Sequence, residues 1–112
     1  MNPSDLYSMT LSVLTSARAA MLTPAFHAAE QMKDPDERLK ASQTLLDIQQ
    51  AIIALSTASL GDIAAKMKDN EKGLTKATAN LKKALQKITE VKNVIDAASS
   101  VLGVVAKIVP FL

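Results

Sequence analysis

The chain has 112 residues with 48% hydrophobic and 21% charged side chains, which bounds it to one globular domain and disfavours whole-chain disorder. There is no cysteine and there are only three aromatic residues, Tyr7, Phe26 and Phe111, so disulfide frameworks and thiolate metal sites are excluded and stacking platforms for bases or sugars are poor. The net charge of +2 is unevenly spread: residues 1–65 carry four basic and seven acidic side chains, whereas residues 66–112 carry nine lysines against four acids. Opposite signs on segments that pack together favour a closed bundle slightly, and the lysines could also face phosphate.

Asn2-Pro3 opens the first helix, since Asn is a strong cap and Pro suits the first helical position. The acid at Asp5 stands where a secretory signal would want a basic residue, so the chain is expected to be cytoplasmic by default, with signal-independent export left open. Leu6, Met9, Val13, Ala17, Ala20 and Met21 form an apolar stripe, widened by Leu11, Leu14 and Leu22. From Leu6 to Ala29 the one formal charge is Arg18, and hydroxyl residues fill much of the rest. Such a helix is expected to be deeply buried or to meet a partner. Its arginine and six hydroxyls argue against a membrane span.

Thr23-Pro24 repeats the cap-then-proline grammar, and the expectation is a kink with one helix running over 3–32. Asp34-Pro35-Asp36-Glu37 repeats it more strongly, with Glu37 placed to reach back in a capping box. The second helix is expected over 35–68. Leu39, Leu46, Ile53, Leu60, Ile63 and Met67 trace one of its faces, and Leu45, Ile48, Ile52 and Leu55 an adjoining one. Two apolar faces predict burial against two neighbours. Gly61 either permits a close crossing or is simply tolerated.

Asp69-Asn70-Glu71-Lys72-Gly73 reads as punctuation, with Asp69 or Asn70 as a cap and Gly73 able to go left-handed. A continuous helix from Pro35 to Val109 is the alternative. A third helix is expected over 71–109, stopped by Pro110. Its seam advances by alternating threes and fours from Leu74 through Ile88, Val91 and Ile95 to Leu112, landing on an apolar residue every time. If the chain turns near residue 71, counting back along both arms sets Pro35 beside Lys107, and Pro3 lies near Ala65.

The predicted fold is therefore all-α: an antiparallel three-helix bundle or elongated helical hairpin with coiled-coil-like heptad packing, the first helix kinked near Pro24. No catalytic, cofactor or metal site is expected. His27 is the one histidine, the acids Asp34, Asp36 and Glu37 are better explained by capping than by calcium, and Gly61, Gly73 and Gly103 are too isolated for a phosphate cradle.

The expected function is a non-enzymatic interaction or assembly module that binds a protein partner or self-associates through apolar helix faces. Its candidate contact residues are Leu14, Met21, Val94, Val101, Leu102, Val105, Ile108, Phe111 and Leu112. The first alternative is a membrane-surface protein using the amphipathic C-terminal helix, where Lys107 is the one charge from Ala97 onward. The second is a nucleic-acid-associated protein using Lys72, Lys76, Lys83 and Lys87, which share a helix face but lack the aromatic or arginine companions that reading bases would need.

Overall fold

The structure, a computed structural model, describes residues 1–111. All its regular elements are helical: α1 (Pro3–Met21), α2 (Pro24–Gln31), α3 (Pro35–Thr57), α4 (Leu60–Asp69), α5 (Glu71–Ala84), a 3-10 turn (Leu85–Lys87) and α6 (Val91–Val105). The six helices pack into a body of 43 × 24 × 18 Å. The all-α expectation holds, but each of the three expected long helices is interrupted.

The three cap-then-proline starts each do their local work. Asn2 Oδ1 accepts from the Asp5 amide at 2.8 Å, Thr23 Oγ1 from the Phe26 amide at 3.2 Å, and Asp34 Oδ1 from the Glu37 amide at 2.8 Å. Each satisfies an amide that the helix start would otherwise leave unpaired. At Thr23 this is enough to start a new helix rather than kink the old one. The chain breaks at Leu22–Thr23 because Thr23 goes extended (φ −77, ψ 151) to hold Phe26.

The second expected helix breaks at Ala58 and Ser59, two consecutive extended residues at φ −73, ψ 144 and φ −75, ψ 126. Two extended residues leave no path for the helical ladder, so α4 departs in a new direction. Gly61 follows this break, and a Cβ there would meet nothing closer than Ser59 Oγ at 3.7 Å, an ordinary contact. The glycine is tolerated and enables no close crossing.

At residue 70 the ladder bends instead of ending. The Asn70 amide still donates to Lys66 O at 3.1 Å, and the Leu74 amide to Asn70 O at 2.9 Å. The Asn70 side chain caps nothing ahead of it; its Nδ2 donates back to Lys66 O at 2.8 Å and so closes α4. Gly73 lies inside α5 and no glycine has a positive φ, so it is not a left-handed helix end; a Cβ there would meet Val104 at 3.5 Å, an ordinary contact.

The third expected helix reverses between Ala84 and Val91. The α-helix tightens into the 3-10 turn, and Glu90 takes φ −83, ψ 73 before α6 begins. The contact of Gly73 with Val104 shows that α5 and α6 run antiparallel. The seam from Leu74 to Val109 is inside as expected, fully buried except for half-buried Ala84 and Ile88 at the reversal. It lies on two arms pressed together rather than along one rod. Leu112 lies outside the described residues.

Four helices close into a ring: α1 touches α3 and α5, and α6 touches the same two. Tyr7 Oη donates to Leu55 O at 2.9 Å, and Met21 and Leu22 share a cleft with Ala41 and Leu45, so α1 and α3 are antiparallel. Lys40 Nζ lies 3.7 Å from Asp96, which brings the starts of α3 and α6 side by side. Pro35 thus neighbours the start of α6 and not Lys107, because the chain reverses after residues 57 and 84 rather than at 71. At the end where Pro3 is expected near Ala65, Met1 meets Lys68 and Glu71. The helices α3 and α5 stand at opposite corners, and α4 carries the chain between them across one end, packed on α1. At the other end α2 packs on α3 and α6, with Phe26 fully buried.

The ring's interior is Leu, Ile, Val, Ala and Met with three threonines, Thr10, Thr44 and Thr78, facing inward from α1, α3 and α5. Thr10 and Thr78 hydroxyls donate to Leu6 O and Leu74 O at 2.8 and 2.6 Å, four residues back. Among the described residues no buried side-chain polar atom lacks a partner.

Candidate interaction site

The expected contact residues turn out to serve the chain's own core. Leu14, Met21, Val94, Val101, Leu102, Val105 and Ile108 are all buried, Phe111 is half-buried against the same core, and Leu112 lies outside the described residues. The structure brings most of them together, but as interior. They become a contact surface only if α6, or α1 for Leu14 and Met21, leaves the ring.

A different face is left bare. Leu39, Leu46 and Ile53, seven residues apart on α3, are 58%, 53% and 63% exposed. The buried residues of the same helix are Ala41, Thr44, Ile48, Ala51 and Leu55. At ~100° per residue the two sets point in directions about 180° apart, so α3 is apolar on opposite sides. One side enters the ring. The other, expected to be covered by a second neighbour, faces water.

No charge interrupts this outer stripe. Its flanks are Ser42, Gln43, Gln49, Gln50, Ser56 and Thr57, while Arg38, Lys40 and Asp47 lie off to its edges. Half-buried Leu45 and Ile52 border it on the α1 side, where Leu22 is a further 60% exposed. The register was visible in the sequence. What the sequence did not carry is that Leu60, Ile63 and Met67 leave the face when α4 turns away, the last two to be buried.

The lysines behave as expected of an outer face. Lys72, Lys76, Lys83 and Lys87 are exposed, and none is in an ion pair among the described residues. Three of them sit on the outward side of α5, with the 3-10 turn carrying Lys87.

Elsewhere charge is paired locally. Glu71 takes Lys68 Nζ at 2.7 Å and the Met1 ammonium at 2.9 Å. The Lys68 hydrogen bond, and then that of the amino terminus, hold the Glu71 carboxyl below its ordinary value. Lys92 at 3.0 Å does the same for Asp96, whose hydrogen bond in turn raises the Lys92 ammonium. The Asp34, Asp36 and Glu37 carboxylates share a shallow cleft with Lys40, Lys92 and Asp96, and no group of side chains suited to a metal ion occurs among the described residues. A second cleft of about 450 Å3 lies between α1 and α5, lined by Met9, Val13, Thr75 and Thr78 among others. No helix among the described residues is long and apolar enough to cross a membrane.

No family model, curated protein or solved structure matches this chain.

Proposed function

We propose that the chain is a non-enzymatic helical interaction module that binds a protein helix, of another chain or of its own kind, along the outward face of α3. The observation that carries this reading is the stripe Leu39, Leu46, Ile53 standing in water on a helix whose other side already fills the core. Burying apolar area returns ~25 cal/mol per Å2, and a contiguous apolar patch bordered by neutral polar groups is a common mark of a docking surface. The seven-residue spacing is that of a coiled-coil seam, which makes a helix the natural occupant. Uncharged flanks lower the desolvation cost of covering it.

A photoreactive benzoylphenylalanine at Gln43, in cells that naturally make the protein, tests this directly. Protein adducts are expected at Gln43 and absent for the same probe at Lys76. No adduct at either position, or adducts at Lys76 alone, would sink the reading.

A second reading rests on the unpaired row Lys72, Lys76 and Lys83, which suits an anionic surface such as nucleic acid. It predicts binding that weakens steeply with salt and is lost on Lys76→Glu with Lys83→Glu. The membrane-surface alternative through the C-terminal helix requires the apolar side of α6 to leave the core that it fills.

A further inference from the structure

We infer that the occupant of the α3 face is a second copy of this chain, docked with the two α3 helices antiparallel about a two-fold axis at Leu46. The inference rests on the interaction reading above and specifies its partner. What points to self-pairing is that the stripe from Leu39 to Ile53 reads alike in both directions from Leu46. Three residues away on either side stand Gln43 and Gln49; four away, Ser42 and Gln50; seven away, Leu39 and Ile53. A two-fold contact needs this property, because each position meets its mirror position on the partner. A contact with an unrelated chain does not require it.

In that register Leu46 meets Leu46, and Leu39 meets Ile53 at both ends of the stripe. Gln43 lies opposite Gln49, and Ser42 opposite Gln50. A glutamine amide both donates and accepts, so these layers can pair across the axis without a charged partner. Charge does not oppose this direction. Antiparallel pairing sets Arg38, Lys40 and Asp47 beside Ala54, Ile52 and Leu45 of the second copy's sequence, all neutral. Parallel pairing would run each charge alongside its own kind and align the two helix dipoles.

The stripe from Leu39 to Ile53 spans 14 steps of ~1.5 Å, roughly 21 Å. One helix pair of that length buries less than the ~1,200 Å2 at which stable interfaces begin, even with exposed Leu22 at its margin. The dimer is therefore a weak one, dissociating on dilution through the micromolar range.

Because the chain has no cysteine, single introduced thiols report on the geometry without interference. Under mild oxidation Leu46→Cys is expected to form a disulfide dimer much faster than Lys83→Cys on the opposite corner. An equimolar mixture of Ser42→Cys and Gln50→Cys is expected to cross-link faster than either alone. Sedimentation equilibrium of the unmodified protein should show a monomer–dimer equilibrium, and Leu46→Glu should shift it to monomer with its helical circular dichroism unchanged. A protein that stays monomeric at every concentration, with Leu46→Cys no faster than Lys83→Cys, overturns the dimer. Ser42→Cys cross-linking alone as fast as the mixture overturns the antiparallel direction. If the protein is monomeric while the Gln43 probe captures a different protein, the homodimer falls and the interaction reading stands; if neither is seen, both fall.

Discussion

On α5 the side turned to water carries Lys72, Lys76 and Lys83; on α3, at the opposite corner of the ring, it carries Leu39, Leu46 and Ile53. Their inward sides are close to interchangeable. Leu74, Ala77, Thr78 and Leu81 on α5 correspond in kind to Ala41, Thr44, Ile48, Ala51 and Leu55 on α3, down to the buried threonine. Folding constrains the inward sides and makes no demand for leucine on an outward one. The contrast between the two outer faces therefore speaks to what each meets beyond the chain, with solvent or an anion suiting one and an apolar surface the other.

The contrast can be broken at several levels. Ile48→Ala and Leu81→Ala, which empty the two inward sides, are each expected to cost about 2–5 kcal/mol in denaturant unfolding. If Ile48→Ala proved as mild as Leu46→Ala, the assignment of the α3 faces would be reversed. Asp34→Ala, which removes the cap that starts α3, is expected to cost ~1 kcal/mol. At concentrations where the protein is monomeric, Leu46→Ala and Lys83→Ala are each expected to stay within ~0.5 kcal/mol of the parent, measured the same way. Larger losses at Leu46 would mean that the stripe is already covered within one chain.

The smallest expected effect concerns the end of the molecule where α1 meets α5. Glu71 should titrate below the ordinary glutamate value in a carboxyl NMR titration, and Lys68→Ala should move it upward. A carboxylate with a depressed folded value contributes stability that is full above the unfolded value and is lost as pH falls through the folded one. The pair is open to solvent, so added salt should erase most of the shift.

Local grammar made the starts of three helices legible: Asn2-Pro3, Thr23-Pro24 and Asp34-Pro35 each announce a cap that the structure contains. Periodicity made the seam legible as interior. It could not announce the reversal after Ala84, because Ala84, Ile88 and Val91 keep the same four-and-three spacing through the turn, with no glycine or proline to mark it. The break at Ala58–Ser59 is similarly quiet. It sits in a run of small and hydroxyl residues, Ser56 to Ser59, that is compatible with a helix interior, yet Ala58 and Ser59 are extended.

The contact face was legible as apolar but not as bare. Residues such as Val94 and Val101 on one hand, and Leu46 and Ile53 on the other, have similar hydrophobicity. Which of them remains uncovered depends on how many neighbours the ring can bring to each helix. The single-sequence signal that favours α3 is the company its stripe keeps: neutral Gln and Ser flanks rather than the lysines that screen α5.

The diagonal course of α4 also bears on how the molecule assembles. The hairpin of α5 and α6 draws on one short piece of chain, and α1 likewise meets α3 from Met21 beside Ala41 to Tyr7 beside Leu55; α1 and α5, by contrast, are joined across 70 residues, as at Met1 and Glu71. Contacts between distant parts of a sequence form late, since a long loop has to close before they repay its entropy. The closing of α1 against α5 is thus expected to follow the two hairpins. Until then the apolar sides with which α1 and α5 face each other are the ones most in need of shelter.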